Sequence, residues 1–355
     1  MIKHDYHVIG LMSGTSADGL DMALCRFFKE DERWHYEIGD VRYQPYDDDW
    51  HHQLSDAMAL DSKSLKILSK SYAIWMARQV NAFVAETGVI PRLVASHGHT
   101  VFHQPSKGIT VQIGDGQTLA NLTGLTTVCN FREADVINGG QGAPLVPVGD
   151  QLLFGEYEAC LNVGGIANIS YSVDNLRIAY DVCPANQVLN LLSERAGKPF
   201  DEGGKLAMSG SLLPHLLEQF NSLDYYHLPF PKSLGREWVL EKIMPLLNKT
   251  NAAVEDMLHT YCEHMAIQIG QAVSRFEKGR LLVTGGGAFN THFISRLSYY
   301  SPLEVILPED HLISFKEAII FGFLGLRRLL NKTNVWTSVT GGKTNLSSGD
   351  IFEPQ

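Results

Sequence analysis

Three short stretches of this chain have the residue types to hold a phosphate. They are Ser13-Gly14-Thr15-Ser16-Ala17-Asp18-Gly19, Asn162-Val163-Gly164-Gly165-Ile166-Ala167-Asn168 and Gly285-Gly286-Gly287-Ala288. Backbone N–H groups in a tight turn carry partial positive charge, and glycine lets an oxyanion approach them closely and tolerates positive φ. The first stretch adds two hydroxyls and the Asp18 carboxylate, which can reach a magnesium ion directly or through water. An Asx turn is the plain alternative for Asp18. No Gly-Lys-Ser/Thr follows, so this is not a Walker-type loop. Taken singly, each stretch reads equally well as a polar hairpin tip. Three of them, each ending an apolar run and spread over both halves, are harder to explain as unrelated turns.

The elements around them are strands and helices in alternation. Tyr6 to Leu11 reads as a buried strand that turns at Ser13 to Ser16 and resumes as Leu20 to Phe27. Apolar residues from Leu65 to Val84 recur at three- and four-residue intervals, a long helix stopped by Gly88 and Pro91. Leu93 to Ser96 is a short strand opening into His97-Gly98-His99-Thr100. Ligands gather at such carboxyl ends in open α/β sheets. The second half repeats the scheme, with strand Ala159 to Val163, the Gly164-Gly165 turn and a returning strand Ile166 to Tyr171. Leu176 to Tyr180 is a further strand that ends at Asp181, and a helical pattern opens at Val188. Another helix from Val254 to Val273 leads to strand Leu281 to Val283 and the triple glycine. The repetition predicts a duplicated α/β architecture.

Composition narrows the class. The chain has 355 residues, 45% hydrophobic and 19% charged, and is too long for one ordinary core. Its net charge of −10 offers no basic face for nucleic acid, so a small-molecule substrate fits better. The longest apolar run near the C-terminus, Ala318 to Leu326, falls well short of the roughly 20 residues a membrane span needs. With no basic start and apolar core typical of a secretory leader, a soluble cytoplasmic protein is expected. Five scattered cysteines without a close pair argue against disulfides and zinc. His97, His99 and His103 lack a ligand-spaced Cys or carboxylate and read as strand-end and loop residues.

Longer strings carry a resemblance. Gly10 to Asp21, Gln112 to Gly116, Phe131-Arg132 with Asp135, Gly139 to Pro147, Leu161 to Asn168, Pro231 to Glu237, Gly285 to Asn290 and Lys316 to Ala318 together resemble the anhydro-N-acetylmuramic acid kinases. The three glycine turns resemble the phosphate hairpins and adenosine turn of the actin, hexokinase and heat-shock-70 ATPases. The resemblance implies an α/β, two-domain actin-like (ribonuclease H-like) fold with an interdomain cleft. Domains are expected at 1–131 plus 331–355 and at 132–330. It further implies a homodimer, an amino-sugar substrate, ATP and Mg2+, and a reaction that opens the 1,6-anhydro bridge while phosphorylating O6 in peptidoglycan recycling.

The same matching assigns residues. Gly14, Thr15, Ser16, Ala17, Asp18, Gly19, Leu20, Asp21, Gly164, Gly165, Asn168, Gly285, Gly286 and Gly287 are expected at ATP and its phosphates, with Asp18 also at the metal. His97, Thr100, Arg132 and Asn186 are expected at the sugar. Asp181 matches the family's catalytic base and Glu317 its helix-start glutamate. From the residues alone, Asp181 reads first as a helix N-cap; a first-turn glutamate favoured by the helix dipole competes for Glu317, and a surface salt bridge is the bland alternative for Arg132, whose guanidinium can bind oxyanions bidentately. Two departures bear on the pocket. Val182-Cys183-Pro184-Ala185 replaces a glycine-containing turn, and His99 stands where the family has glutamine. Rival readings are a sugar or acetate kinase of the same fold without ring opening, and an ATP-driven conformational switch.

Overall fold

A computed structural model describes residues 5–14 and 17–355. The expected phosphate contacts Thr15 and Ser16 therefore lie outside the described residues. The chain divides into two compact units, 1–153 with 315–355, and 154–314.

In the first unit, β1 (Asp5–Ser13) pairs antiparallel with β2 (Gly19–Glu30), which pairs antiparallel with β3 (Arg33–Pro45). On its other side β1 runs parallel to β4 (Leu93–Ser96). A small hairpin of β5 (His99–Gln104) and β6 (Ile109–Ile113) follows, and β7 (Thr127–Cys129) then lies parallel to β4. Side chains alternate across β1. Ile9 and Leu11 share a core with Tyr72, Met76 and Val80 of α1 (Ser62–Thr87). That helix starts where Asp61 accepts the Ser64 N–H and stops at Gly88, whose φ of 67° any side chain would strain.

The second unit repeats the order. β8 (Ala159–Val163), β9 (Ile166–Val173) and β10 (Leu176–Pro184) form an antiparallel run, and β11 (Arg280–Thr284) and β12 (Glu304–Ile306) extend it in parallel on the β8 side. The helices α2 (Asn186–Arg195), α3 (Val254–Ala272) and α4 (Thr291–Tyr300) supply Leu189, Tyr261, Met265 and Phe293 to its core. The sheet orders are β3-β2-β1-β4-β7 and β10-β9-β8-β11-β12, with the second strand of each reversed. The expected duplicated, ribonuclease H-like α/β fold of the actin type is present in both units.

The expected domain boundaries need correcting. Residues 132–153 and 315–330 belong to the first unit, because α5 (Asp310–Leu329) lies on its sheet opposite α1. A Cβ on Gly10 would stand 1.8 Å from the Ala318 carbonyl oxygen, and one on Gly325 would stand 2.4 Å from the Ala95 Cβ. Ala318, Gly322 and Gly325 form one small-residue face of α5, and the strands meet it with Gly10 and Ala95. The chain ends with β13 (Asp350–Phe352), antiparallel to β7. Among the described residues no helix is long and apolar enough to cross a membrane.

Gly10→Ala should lower stability by roughly 2–3 kcal/mol, since the obstructing atom is backbone that cannot rotate away. Urea unfolding measures this directly, and a midpoint equal to the parent's would show that α5 does not sit so closely.

Candidate active site

The carboxyl ends of β1, β4 and β7 bring polar groups of the first unit together, as the strand-end argument anticipates. Ser13 closes β1, and its hydroxyl meets His99 Nδ1 at 3.1 Å and accepts from the Tyr46 hydroxyl at 2.9 Å. His97 follows β4 and is 4% exposed. Its Nδ1 lies 2.9 Å from the Gly98 carbonyl, and Arg132, just after β7, donates to His97 Nε2 from Nε at 3.1 Å and Nη2 at 2.8 Å. Nδ1 must therefore carry the proton, and the ring is neutral. Burial and the neighbouring guanidinium hold His97 well below the ordinary histidine range. Arg132 is thus a half-buried residue held by His97, not a surface salt bridge, and burial lowers it to about 10.

Arg132 Nη1 also donates to the Gly142 carbonyl at 2.7 Å. The Gly139–Gly142 loop is in turn held by Asp135, which is fully buried. Asp135 accepts from the Gly142 N–H at 2.8 Å and the Thr340 hydroxyl at 2.9 Å. A Cβ on Gly140 would stand 2.2 Å from Asp135 Oδ2, so glycine is required there for packing.

Glu317 lies seven residues into α5, not in its first turn, so the helix-dipole explanation for it does not hold. Burial pushes its carboxyl up while Arg132 and Lys316 pull it back. Lys316 itself forms a buried ion pair with Asp150 at 2.7 Å. Nothing local announces that pair, because its partners are far apart in sequence. Asp21 on β2 is raised to about 7 by burial first, then by the negative charge of Asp18 and Glu317. Asp18 is exposed at the turn. The Leu20 side chain is 1% exposed in the core, where alternation along β2 sends it, so only its main chain can meet a ligand. Ala17 is likewise buried, at φ 50°, with its carbonyl 2.7 Å from His51 Nδ1. Thr100 lies on β5, where Gln112 Nε2 of β6 reaches its hydroxyl at 3.5 Å. His97, His99 and His103 have separate partners, the last Thr110, and among the described residues no group of three ligand-type side chains converges on a metal position.

In the second unit the Gly164-Gly165 turn and the triple glycine sit side by side at the carboxyl ends of β8 and β11. A Cβ on Gly287 would stand 2.2 Å from Val163 Cγ1, and Gly285 has φ 83° with Asn162 and Val163 pressed against it. The Gly164 and Gly165 carbonyls accept the N–H groups of Asn186, Ala185 and Gln187 at 3.1, 2.8 and 3.2 Å. They satisfy the start of α2, which has no side-chain cap. Asn186 Nδ2 donates to the Val163 carbonyl at 3.1 Å, so Asn186 ties the turn to the helix. Gly203-Gly204, a turn the sequence reading did not single out, packs against Asn290 after the triple glycine, and Thr291 Oγ1 donates to the Gly203 carbonyl at 2.9 Å.

These carbonyls remove the N-cap reading of Asp181. β10 does not end at Tyr180; it runs through Asp181 to Pro184, with a register shift between Asp181 and Cys183, and Asp181 lies opposite Asn168 of β9. Asp181 Oδ2 accepts the Leu234 N–H at 2.8 Å. Burial raises its carboxyl, and that single hydrogen bond opposes the shift.

The raised Asp21 gives a stability test. Its folded value near 7 lies above the ordinary 3.8, so between these limits the native state holds more proton than the unfolded chain. Its contribution is present below about pH 4 and is lost as pH rises through 7. Asp21→Asn should match the parent at pH 4 and exceed it at pH 8 by on the order of 2–4 kcal/mol, without nucleotide or Mg2+. Denaturant melts at both pH values check this; equal stability at pH 8 would contradict it.

The family model described as anhydro-N-acetylmuramic acid kinase matches residues 6–354. A protein of that name from Saccharophagus degradans is 34% identical, covering 98% of this chain and 98% of its own length. One from Aliivibrio fischeri is 33% identical, covering 97% and 98%. Among solved structures, the Acidaminococcus fermentans (R)-2-hydroxyglutaryl-CoA dehydratase component A has a TM-score of 0.47 at 11% identity, covering 92% of this chain and 99% of its own. A ROK family glucokinase from Streptomyces griseus, in complex with glucose and AMPPNP, has a TM-score of 0.41 at 11% identity, covering 90% and 99%. With near-complete coverage in both directions and a matching family model, the chain belongs to the anhydro-N-acetylmuramic acid kinase family.

Proposed function

We propose that the protein is an ATP-dependent kinase that hydrolytically opens 1,6-anhydro-N-acetylmuramic acid and phosphorylates O6, giving N-acetylmuramic acid 6-phosphate for cell-wall recycling in the cytoplasm. The observation that carries this reading is Asp181: a partly buried carboxylate on a strand, relieved of any capping duty, with one oxygen fixed by the Leu234 N–H. Among the described residues no donor is assigned to its other oxygen, which is free to take a proton from water.

In this reading Asp181 removes a proton from the water that attacks C1. The C1–O6 bond breaks, and O6 takes the γ-phosphoryl group in place of a proton, so ADP leaves and one proton is released to solvent. A single base then suffices where an ordinary inverting glycosidase needs a carboxylate pair. Arg132, oriented by neutral His97, offers its remaining N–H groups to sugar oxygens. Gly164-Gly165 and Gly285 to Gly287 offer amides to the nucleotide. Asp18 and Asp21 are the carboxylates that would hold Mg2+: the negative charge of Asp18 and Glu317 raises Asp21, and among the described residues no group of three ligand-type side chains forms a cage, which suits an ion that keeps waters and phosphate oxygens. Bound there, Mg2+ would neutralise charge on the phosphates.

Incubation with ATP, Mg2+ and the anhydro sugar should give a product heavier than the substrate by one water and one phosphoryl group. Asp181→Asn should lower kcat by about 100- to 10,000-fold while leaving the KM for ATP little changed. Because Asp181 is raised, kcat should fall on the acid side with a midpoint above the ordinary carboxylate value. Equal phosphorylation of N-acetylmuramic acid would favour a kinase without ring opening, and ATP turnover indifferent to sugar would favour a switch protein.

A further inference from the structure

β10 is the edge strand of its sheet, and at Asp181 the free edge is covered by the segment from Tyr225 to Leu234. Three hydrogen bonds join the two. The Asp181 N–H donates to the Lys232 carbonyl at 3.2 Å, the Leu234 N–H to Asp181 Oδ2 at 2.8 Å and the Tyr225 hydroxyl to the Asp181 carbonyl at 2.6 Å. Phe230 of this strap stacks on Tyr180 of β10 at 5.8 Å, and the Tyr226 hydroxyl lies 2.9 Å from His264 Nε2 of α3. A cavity of about 180 Å3, lined in part by Tyr180, Phe230, Lys232 and Gln268, lies against it. It is also tied to itself: Lys232 Nζ donates to the Tyr225 carbonyl at 3.1 Å and stands 4.6 Å over the Tyr225 ring. Tyr225 is 6% exposed and packs on Trp238 at 5.5 Å.

We propose that Tyr225 and Lys232 are positioning residues for Asp181, holding the strap so that the Leu234 N–H fixes one carboxylate oxygen and leaves the other aimed for proton transfer. This rests on Asp181 being the base. The main-chain bonds at Asp181 hold the strand, but only the Leu234 bond reaches the carboxylate, and its donor is set by a segment closed through Lys232 and Tyr225. Among the described residues the titratable groups that interact with Asp181 are Tyr225 of the strap and Cys183 along β10, while the Lys232 ammonium turns to the Tyr225 carbonyl; Asn168, opposite on β9, is neutral.

The test uses the full chain labelled with 13C at the aspartate carboxyl carbon, with the Asp181 resonance assigned by its loss in Asp181→Asn. Tyr225→Phe changes no charge, so any change in the Asp181 titration reports geometry. Lys232→Met keeps the aliphatic stem and serves as a second variant. Each variant is first shown to fold by circular dichroism. The Asp181 midpoint should rise by about 0.5–1 unit in Tyr225→Phe as the Leu234 hydrogen bond loosens. With ATP and the anhydro sugar, kcat should drop about tenfold, its acid limb should move up in parallel, and the KM for sugar should stay within about twofold. An unmoved midpoint in folded Tyr225→Phe overturns the proposal. The titration needs no substrate, so a parent protein inactive on the anhydro sugar would sink the proposed function without deciding the strap's role.

Discussion

The first unit depends on a backbone approach: α5 lies so close on β1 that Gly10 has no room for a side chain beside Ala318. Ile9 and Leu11 fill the opposite face against α1, so the strand is gripped by two helices with nothing spare between them. This contact fixes where Lys316 and Glu317 fall. Lys316 is paired with Asp150 in the interior, and Glu317 enters the field of Arg132 and Asp21. A carboxylate two turns into a helix gains little from the helix terminus. What stabilises its charge is the guanidinium, itself held by neutral His97 and the Gly142 carbonyl. The set is a chain of dependent placements, from a missing Cβ to the charge state of the site.

The second unit solves the corresponding problem with carbonyls. The Gly164-Gly165 turn gives its oxygens to the first N–H groups of α2, a task a capping side chain performs elsewhere. Asp181 is thereby free of structural duty at the helix and stands in a strand, answered by one N–H from the strap. The two glycine turns of this unit are neighbours because β8 and β11 are adjacent and parallel, so both turns emerge from the same end of the sheet.

Much of this was legible in the sequence where the signal is local. Leu93 to Ser96 and Ala159 to Val163 are apolar runs bounded by polar or glycine residues, and both are strands with those bounds. The long helix starts three residues before its first apolar position because Asp61 caps it. The errors share a cause. Asp181 read as an N-cap because it precedes a helical pattern, and only residues some fifty positions away reveal the strand and strap. The domain boundaries missed because α5 looks like an ordinary apolar helix until its small-residue face is set against Gly10 and Ala95. The salt-bridge alternative for Arg132 falls for the same reason, since nothing beside it in sequence announces His97 or the Gly142 carbonyl.

The claim at the centre of this account is that water enters at C1 while the bridge oxygen receives the phosphoryl group. Running the reaction in water enriched in oxygen-18 and locating the label by mass fragmentation and phosphorus NMR tests it most directly. The label is expected at C1 of the product, with none on the transferred phosphate. Label on phosphate, or a phosphorylated sugar carrying none, would contradict it.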